Sequence, residues 1–205
     1  HDAYFDVGVD CVETNTFGAN WSNLSDYDVD DRIEELAKAG AEIARECAEK
    51  YEKKDGRMRW TLGSMGPGTK LPSLGHTTYD HLKKTFALQA KGLILGGADA
   101  FMVETSQDLL QTKAAINGCR VAMVETDTRL PLFVEVTVET TGTMLMGSEI
   151  NAALTALEPL GIDMIGLNCA TGPQEMSEHL RQLSQHAEIP VMVMPNAGLP
   201  VLTAT

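Results

Sequence analysis

Hydrophobic and polar positions alternate along this chain in two rhythms. Short apolar runs recur and close on polar or glycine-rich residues. They cover 11–17 (CVETNTF), 60–67 (WTLGSMGP), 100–105 (AFMVET), 132–138 (LFVEVTV), 164–169 (MIGLNC) and 191–195 (VMVMP). Runs of this length, bounded by turn residues, predict mostly buried strands. Between them lie longer segments with helical spacing. Segment 30–54 sets Ile33, Leu36, Ala37, Ala41, Ile43, Ala44, Cys47 and Tyr51 near one face. Helices are also expected over 77–95 with Thr78 as N-cap, over 107–125, over 148–160 closed by Gly161, and over 173–187 with Pro173 in the first turn.

Strands alternating with helices predict a parallel sheet. A weak internal repeat supports this order: Gly8-Val9-Asp10, Gly97-Ala98-Asp99 and Gly161-Ile162-Asp163. In each, a glycine closes a helix and the chain turns into a strand. Two parallel architectures compete. A doubly wound sheet carries a glycine-rich phosphate loop after its first strand, and neither GxGxxG nor GxxxxGK[ST] occurs here. A (β/α)8 TIM barrel puts its chemistry at the C-terminal strand ends, where the unusual polar clusters fall. The barrel is therefore expected, as one partial domain over 1–205. Six strands make it incomplete, at about six of eight βα units. The first and last are expected to be missing, because about 250 residues make a full barrel. The chain lacks an initiator Met, opens on what reads as the end of a helix and stops on VLTAT after a strand. It is expected to be a piece of something longer.

Composition narrows the class. The 205 residues carry 16 Lys and Arg against 29 Asp and Glu, a net charge of −13. Phosphate binding needs clustered cations, so no nucleic-acid partner is expected. No apolar run approaches the ~20 residues that span a bilayer, so no membrane partner is expected either. The four cysteines, Cys11, Cys47, Cys119 and Cys169, form no close pair. A reducing, cytoplasmic location follows as the default.

The candidate chemistry sits at the strand ends. Cys169 closes a buried strand beside the start of the next helix, whose dipole favours a thiolate. It reads equally as a metal ligand, a nucleophile or a small core residue. Glu104 ends AFMVET, where a carboxylate is costly to bury unless paired or used. A substrate ammonium, a general-base role or a rim ion pair would each account for it. Glu13 holds the equivalent place in CVETNTF, so a polar ring is expected rather than two equal catalysts. Asn15 and Asn196 offer a donor and an acceptor to an amino acid, or brace turns. Ser64 lies in a glycine-flanked loop that would let backbone N–H groups approach an anion. Cys11, Cys47 and Cys119 read as core, as do Met192 and Met194. The histidines read as surface or structural residues.

ETNTFGAN, GSMGPGTKL, VETSQDLLQTKAA, GLNCATGP and PNAGLP occur in that order at the strand ends. Together they resemble the homocysteine-binding domain of the cobalamin-dependent methionine synthases, across essentially the whole chain. The resemblance implies a (β/α)8 barrel holding zinc through three cysteines, with the homocysteine sulfur on the zinc. It implies Cys169 as a catalytic group and the first zinc ligand. The other two would come from a GGCCG motif, which this chain lacks. It also implies Glu104 at the substrate amino group and Asn196 in the pocket; Asn15 and Ser64 are expected from their own chemistry as further substrate-binding residues. Cobalamin and methyltetrahydrofolate would sit on other modules of a longer polypeptide. With one cysteine of three, the chain alone is expected to be inactive as a methyltransferase.

Three alternatives remain. A cobalamin-independent homocysteine S-methyltransferase would use the same barrel and zinc with a sulfonium or betaine donor. A non-catalytic fragment would self-associate through its open sheet edges. A metal-free barrel lyase would use Glu104 as base, but it needs a late phosphate-binding loop that is absent.

Overall fold

The computed structural model describes residues 1–198. Leu199 and Pro200 of PNAGLP, and the closing VLTAT, lie outside the described residues. The elements run α1 (Asp2–Asp6), β1 (Cys11–Glu13), α2 (Trp21–Leu24), α3 (Ile33–Asp55), β2 (Trp60–Met65), α4 (Tyr79–Leu95), β3 (Ala100–Ser106), α5 (Leu109–Glu125), β4 (Leu132–Val136), α6 (Ile150–Leu157), β5 (Met164–Asn168), α7 (Pro173–His186) and β6 (Val191–Met194). All six expected strands are present. They pair in parallel in the order β1-β2-β3-β4-β5-β6.

That order decides between the two architectures. A doubly wound sheet reverses its strand order at a switch point. Here every strand lies beside its predecessor. With right-handed crossovers, every helix then falls on the same face. The sheet is an arc of a barrel, with helices outside and a concave inner face.

Strand parity sorts the side chains between these faces. Phe101, Val103, Val134, Val136, Ile165 and Leu167 point outward. They pack with Leu82, Phe86, Ile116, Leu154 and Leu183 of the helices in one buried cluster. Each large side chain buried there contributes about 1.5–3 kcal/mol. The alternate positions, including Glu13, Ser64, Glu104, Glu135 and Asn168, face inward. Glycine sets the helix spacing: a Cβ on Gly92 would strike the Glu34 carbonyl, and one on Gly96 the Lys38 carbonyl. Helices α3 and α4 therefore meet backbone to backbone.

Helix ends follow local chemistry. The Thr78 side chain accepts from the His81 N–H and caps α4, as expected. The α5 helix begins two residues later than expected, because Asp108 accepts from the Leu110 and Gln111 N–H groups. At the start of α3, residues Asp30–Arg32 form a 3-10 turn instead.

Some packing expectations fail on parity. Cys11 is exposed and Cys47 half-buried, while Cys119 is buried as expected. Val12, not Cys11, packs toward Ala44 and Ala48. Cys11 is left on the inner face of an edge strand. Ile43 is 58% exposed, and Ala48 takes its expected place. Met192 is half-buried and Met194 exposed, because the inner face of β6 is also at an edge. The first strand is three residues rather than seven. After Glu13 the chain folds over the end of β2, where the Thr16 hydroxyl donates to the Ser64 carbonyl at 2.7 Å.

Two of the three Gly-x-Asp repeats are strand clamps, while in the first the Asp10 carboxylate pairs with Arg57 instead. The Asp99 N–H donates to the Thr61 carbonyl at 2.8 Å, and the Asp99 carboxylate accepts from the Thr61 N–H at 2.7 Å. Asp163 does the same with Leu132, at 2.9 and 2.8 Å. Each aspartate thus satisfies both backbone groups where a neighbouring strand begins. In Asp163→Ala the Leu132 N–H loses its partner, which costs about 1–3 kcal/mol. At roughly 2–4 °C per kcal/mol for a chain of this size, a thermal melt should fall by several degrees. An unchanged melting temperature would refute the clamp.

Candidate functional site

The inner face concentrates polar groups at the C-terminal strand ends. Glu104, near the end of β3, is buried, and Ser64 near the end of β2 is buried beside it. The Ser64 hydroxyl donates to Glu104 Oε1 at 2.6 Å. Asn168, the last residue of β5, donates through Nδ2 to Glu104 Oε2 at 3.3 Å. The same nitrogen donates to Thr105 Oγ1 at 2.9 Å and lies 3.5 Å from Cys169 Sγ. Residues up to 64 positions apart in sequence thus share one hydrogen-bonded cluster.

The backbone turns sharply where these groups meet. Thr105, Cys169 and Ala170 all have positive φ, at 57°, 59° and 52°. Such values are uncommon for residues with a Cβ and persist where the surroundings fix them. The fixing contacts are visible: the Thr105 N–H donates to Asn168 Oδ1 at 2.9 Å. The Thr137 hydroxyl donates to the Asn168 carbonyl at 3.1 Å. The turn at Cys169 leaves its thiol half-buried at the strand edge, 3.8 Å from Thr105 Oγ1.

The inner face holds more acid than the sequence reading anticipated. Glu135, the next-to-last residue of β4, is fully buried, and neither of its carboxyl oxygens has a hydrogen-bond partner. A Cβ on neighbouring Gly166 would stand 3.1 Å from Glu135 Oε1. Burial pushes the Glu135 carboxyl up to about 8, and the charges of Glu104 and Glu13 add to the effect. Glu13 rises to about 7, first through burial and then through Glu104. Glu104 is raised by burial, against hydrogen bonds from Ser64 and Thr105 that pull it down. The polar ring expected from Glu13 and Glu104 thus gains a third member. The signal was present: a glutamate interrupting LFVEVTV at an inward position.

Cys169 departs from its expected electrostatics. Burial raises its thiol, and the carboxyl groups of Glu104, Glu135 and Glu13 raise it further. The Thr105 hydrogen bond opposes this only in part. Whatever the start of α7 contributes, the surroundings hold the metal-free thiol protonated at neutral pH.

The other candidates stand further out. Asn15 is exposed on the segment that leaves β1. Asn196 is half-buried just after β6, its N–H donating to the Thr171 carbonyl at 3.2 Å. Ser64 and Glu104 touch directly, and Asn168 joins Cys169 to them; Asn15 and Asn196 lie around that cluster.

A homocysteine S-methyltransferase family model matches residues 1–204. The chain belongs to the homocysteine S-methyltransferase family. It is 64% identical over 204 residues to the methionine synthase of Mycobacterium tuberculosis, and 63% identical to that of Mycobacterium leprae. All of this chain is covered, but it spans 17% of the length of each relative. The fold is similar to a crystal structure of the homocysteine methyltransferase MmuM from Escherichia coli. The TM-score is 0.81 at 19% identity, over 97% of this chain and 70% of that one. The six strands are thus an incomplete (β/α)8 barrel.

Within this family member, the residues present meet the expected zinc site only in part. Cys169 puts one sulfur at the strand ends, suitable in kind for a zinc ligand. Among the described residues, no group of three His, Cys, Asp or Glu side chains could hold a metal ion. The histidines read as structural: His81 packs edge-on against Trp21 at 4.3 Å, and His76 Nδ1 accepts from the Leu71 N–H. A surface depression of about 650 Å³ lies at the opposite end of the sheet, near Arg120, Arg129 and Asp163. Among the described residues, no helix is long and apolar enough to cross a membrane.

The buried acid makes stability depend on pH. The Glu135 carboxyl is raised from 4.5 to about 8. The folded state therefore keeps a proton that the unfolded chain releases above its ordinary value. This stabilisation is complete below pH 4.5 and lost as pH rises through 8. Glu135→Gln removes the titration. At pH 5 the variant should melt close to the wild type. At pH 8 it should be more stable by about 1–3 kcal/mol, roughly 2–12 °C. Parallel melting curves for the two proteins from pH 5 to 8 would contradict the assignment.

Proposed function

We propose that this chain is part of the homocysteine-binding barrel domain of a methionine synthase, over residues 1–205. In this reading it binds homocysteine at the ends of β2, β3 and β5 and presents its sulfur for methylation. One observation carries it. Glu104 is a buried carboxylate with no cationic partner among the described residues, held by the neutral donors Ser64 and Asn168. A substrate ammonium is the charge that would complete it.

The residues then divide the work. Glu104 accepts hydrogen bonds from the homocysteine ammonium, and the arriving cation favours its ionised form. Ser64 and Asn168 fix the direction of that carboxylate. Asn15 and Asn196 border the mouth and would meet the substrate's polar end. Cys169 is the zinc ligand contributed by this stretch, and the two further cysteines belong to sequence outside it. Zinc, when bound, holds a coordinated thiol as thiolate at neutral pH, which the acidic surroundings of Cys169 would otherwise oppose. Cobalamin and methyltetrahydrofolate would be bound by other modules of the longer polypeptide and would supply the methyl group.

The mycobacterial methionine synthases favour this over a cobalamin-independent methyltransferase, given 64% and 63% identity. The four cysteines are free, which suits a reducing compartment, and we infer a cytoplasmic location. Taken alone, the chain has two strands, β1 and β6, with an unpaired edge among the described residues. Self-association of the isolated chain through these edges follows.

In the full-length polypeptide, Cys169→Ala should release zinc and abolish methionine formation. Near-normal turnover with added methylcobalamin would refute the role of Cys169. The isolated 205-residue chain should show no tight, stoichiometric zinc in a metal titration, and finding it would overturn the shared ligand set. Glu104→Gln should weaken homocysteine binding about 10–100-fold by calorimetry, as expected for a charge-assisted hydrogen bond worth about 1.5–3 kcal/mol. An unchanged affinity would remove the ammonium site.

A further inference from the structure

Asn168 lies between the two groups that handle the ends of the substrate. It is buried at 2% exposure and is the last residue of β5. Its side-chain nitrogen reaches Glu104 Oε2 at 3.3 Å, Thr105 Oγ1 at 2.9 Å and Cys169 Sγ at 3.5 Å. Its side-chain oxygen accepts from the Thr105 N–H at 2.9 Å and from the Thr137 hydroxyl at 3.3 Å. One amide therefore ties β3 and β5 to the residue that follows β4 at the level of the site.

We propose that Asn168 is a positioning residue that fixes the Glu104 carboxylate relative to Cys169 and so selects the chain length of the amino-acid thiol. This rests on the proposed function, in which Glu104 takes the ammonium and the sulfur binds beside Cys169. An α-amino thiol offers its nitrogen and sulfur at a separation set by the methylenes between them. Homocysteine has one methylene more than cysteine. A site that holds both anchors rigidly accepts one length and strains or strands the other. Methylene count alone discriminates weakly, by about 10–200-fold. Leaving a buried polar anchor unpaired costs as much again. Discrimination is then only as good as the stiffness between the anchors.

Several features supply stiffness here. The positive-φ backbone at Thr105 and at Cys169 lies on either side of Asn168, and the amide bonds to both residues. Both faces of the amide are used, so the side chain cannot rotate without losing partners. Thr137, the residue that follows β4, adds to it by donating to the Asn168 carbonyl and side-chain oxygen. The Asp variant separates these roles. It keeps an acceptor for Thr105 and Thr137 but loses the Nδ2 donors to Glu104, Thr105 Oγ1 and sulfur.

The test uses the full-length polypeptide with Asn168→Asp, Asn168→Ala and Thr105→Val. Homocysteine and cysteine affinities are measured by calorimetry, with thermal melts to verify folding. For Asn168→Asp, homocysteine affinity should fall at least 10-fold while cysteine affinity changes less, so the ratio narrows about 10-fold. Thr105→Val removes one contact to the amide and should narrow the ratio by a smaller factor. It also guards against an Asn168 variant that does not fold. An unchanged ratio in the folded variants, or equal losses for both thiols, would overturn the positioning role. A wild-type protein that binds homocysteine no better than Glu104→Gln would instead overturn the function on which the role rests.

Discussion

Parallel pairing in unbroken order is the constraint on which this molecule depends. Every strand ends at the same edge of the sheet, and every helix lies on the same face. Ser64 and Glu104 are 40 residues apart in sequence, yet 2.6 Å apart in space. Neither local propensity nor motif spacing demands that contact. It follows because β2 and β3 pair in register, with Ser64 opposite Met102. Glu104 is two positions further along β3, on the same inward face. The clamps at Asp99 and Asp163 serve this geometry from the other end, by holding the start of each paired strand where its ladder begins.

One face of such a sheet is dry and apolar, and the other must carry the chemistry. The inner face does so with acid. Burial raises Glu13, Glu104 and Glu135, and the charge of Glu104 raises the other two further. A cation near this ring would be favoured, and an added anion disfavoured. The same field keeps a bare Cys169 thiol protonated. A sulfur ligand placed here needs a strong Lewis acid to lose its proton. The acid ring thus fits an amino group well and fits an unassisted thiolate poorly. That asymmetry argues against Cys169 as a free nucleophile.

The architecture was readable from the sequence because two rhythms repeat without conflict. Each apolar run became a strand, and Thr78 and Pro173 began helices where expected. Parity was less readable, since a short apolar run does not say which residue points outward. Cys11 and Met194 were assigned to the core on composition, and both lie on the inner face of edge strands, where nothing among the described residues covers them. Glu104 and Cys169 were found because a polar residue closing an apolar run stands out. Glu135 carries no such signal because it is enclosed within its apolar run, and Asn168 carries none of its own because Cys169 follows it.

Asn168 is the residue that turns separate side chains into a cluster. Glu104 alone is a costly buried charge, and Cys169 alone is a half-buried thiol with a raised pKa. Asn168 links them through one planar group whose donors and acceptor are all engaged. A hydroxyl could not replace it, since it brings one donor where three acceptors wait. A carboxylate would reverse the sign at two of them. The amide is neutral, so it binds the carboxylate and the sulfur without adding to the negative field that already disfavours a thiolate. Neutral donors beside an acid ring hold these side chains in place and leave the charge of Glu104 without a cationic partner among the described residues.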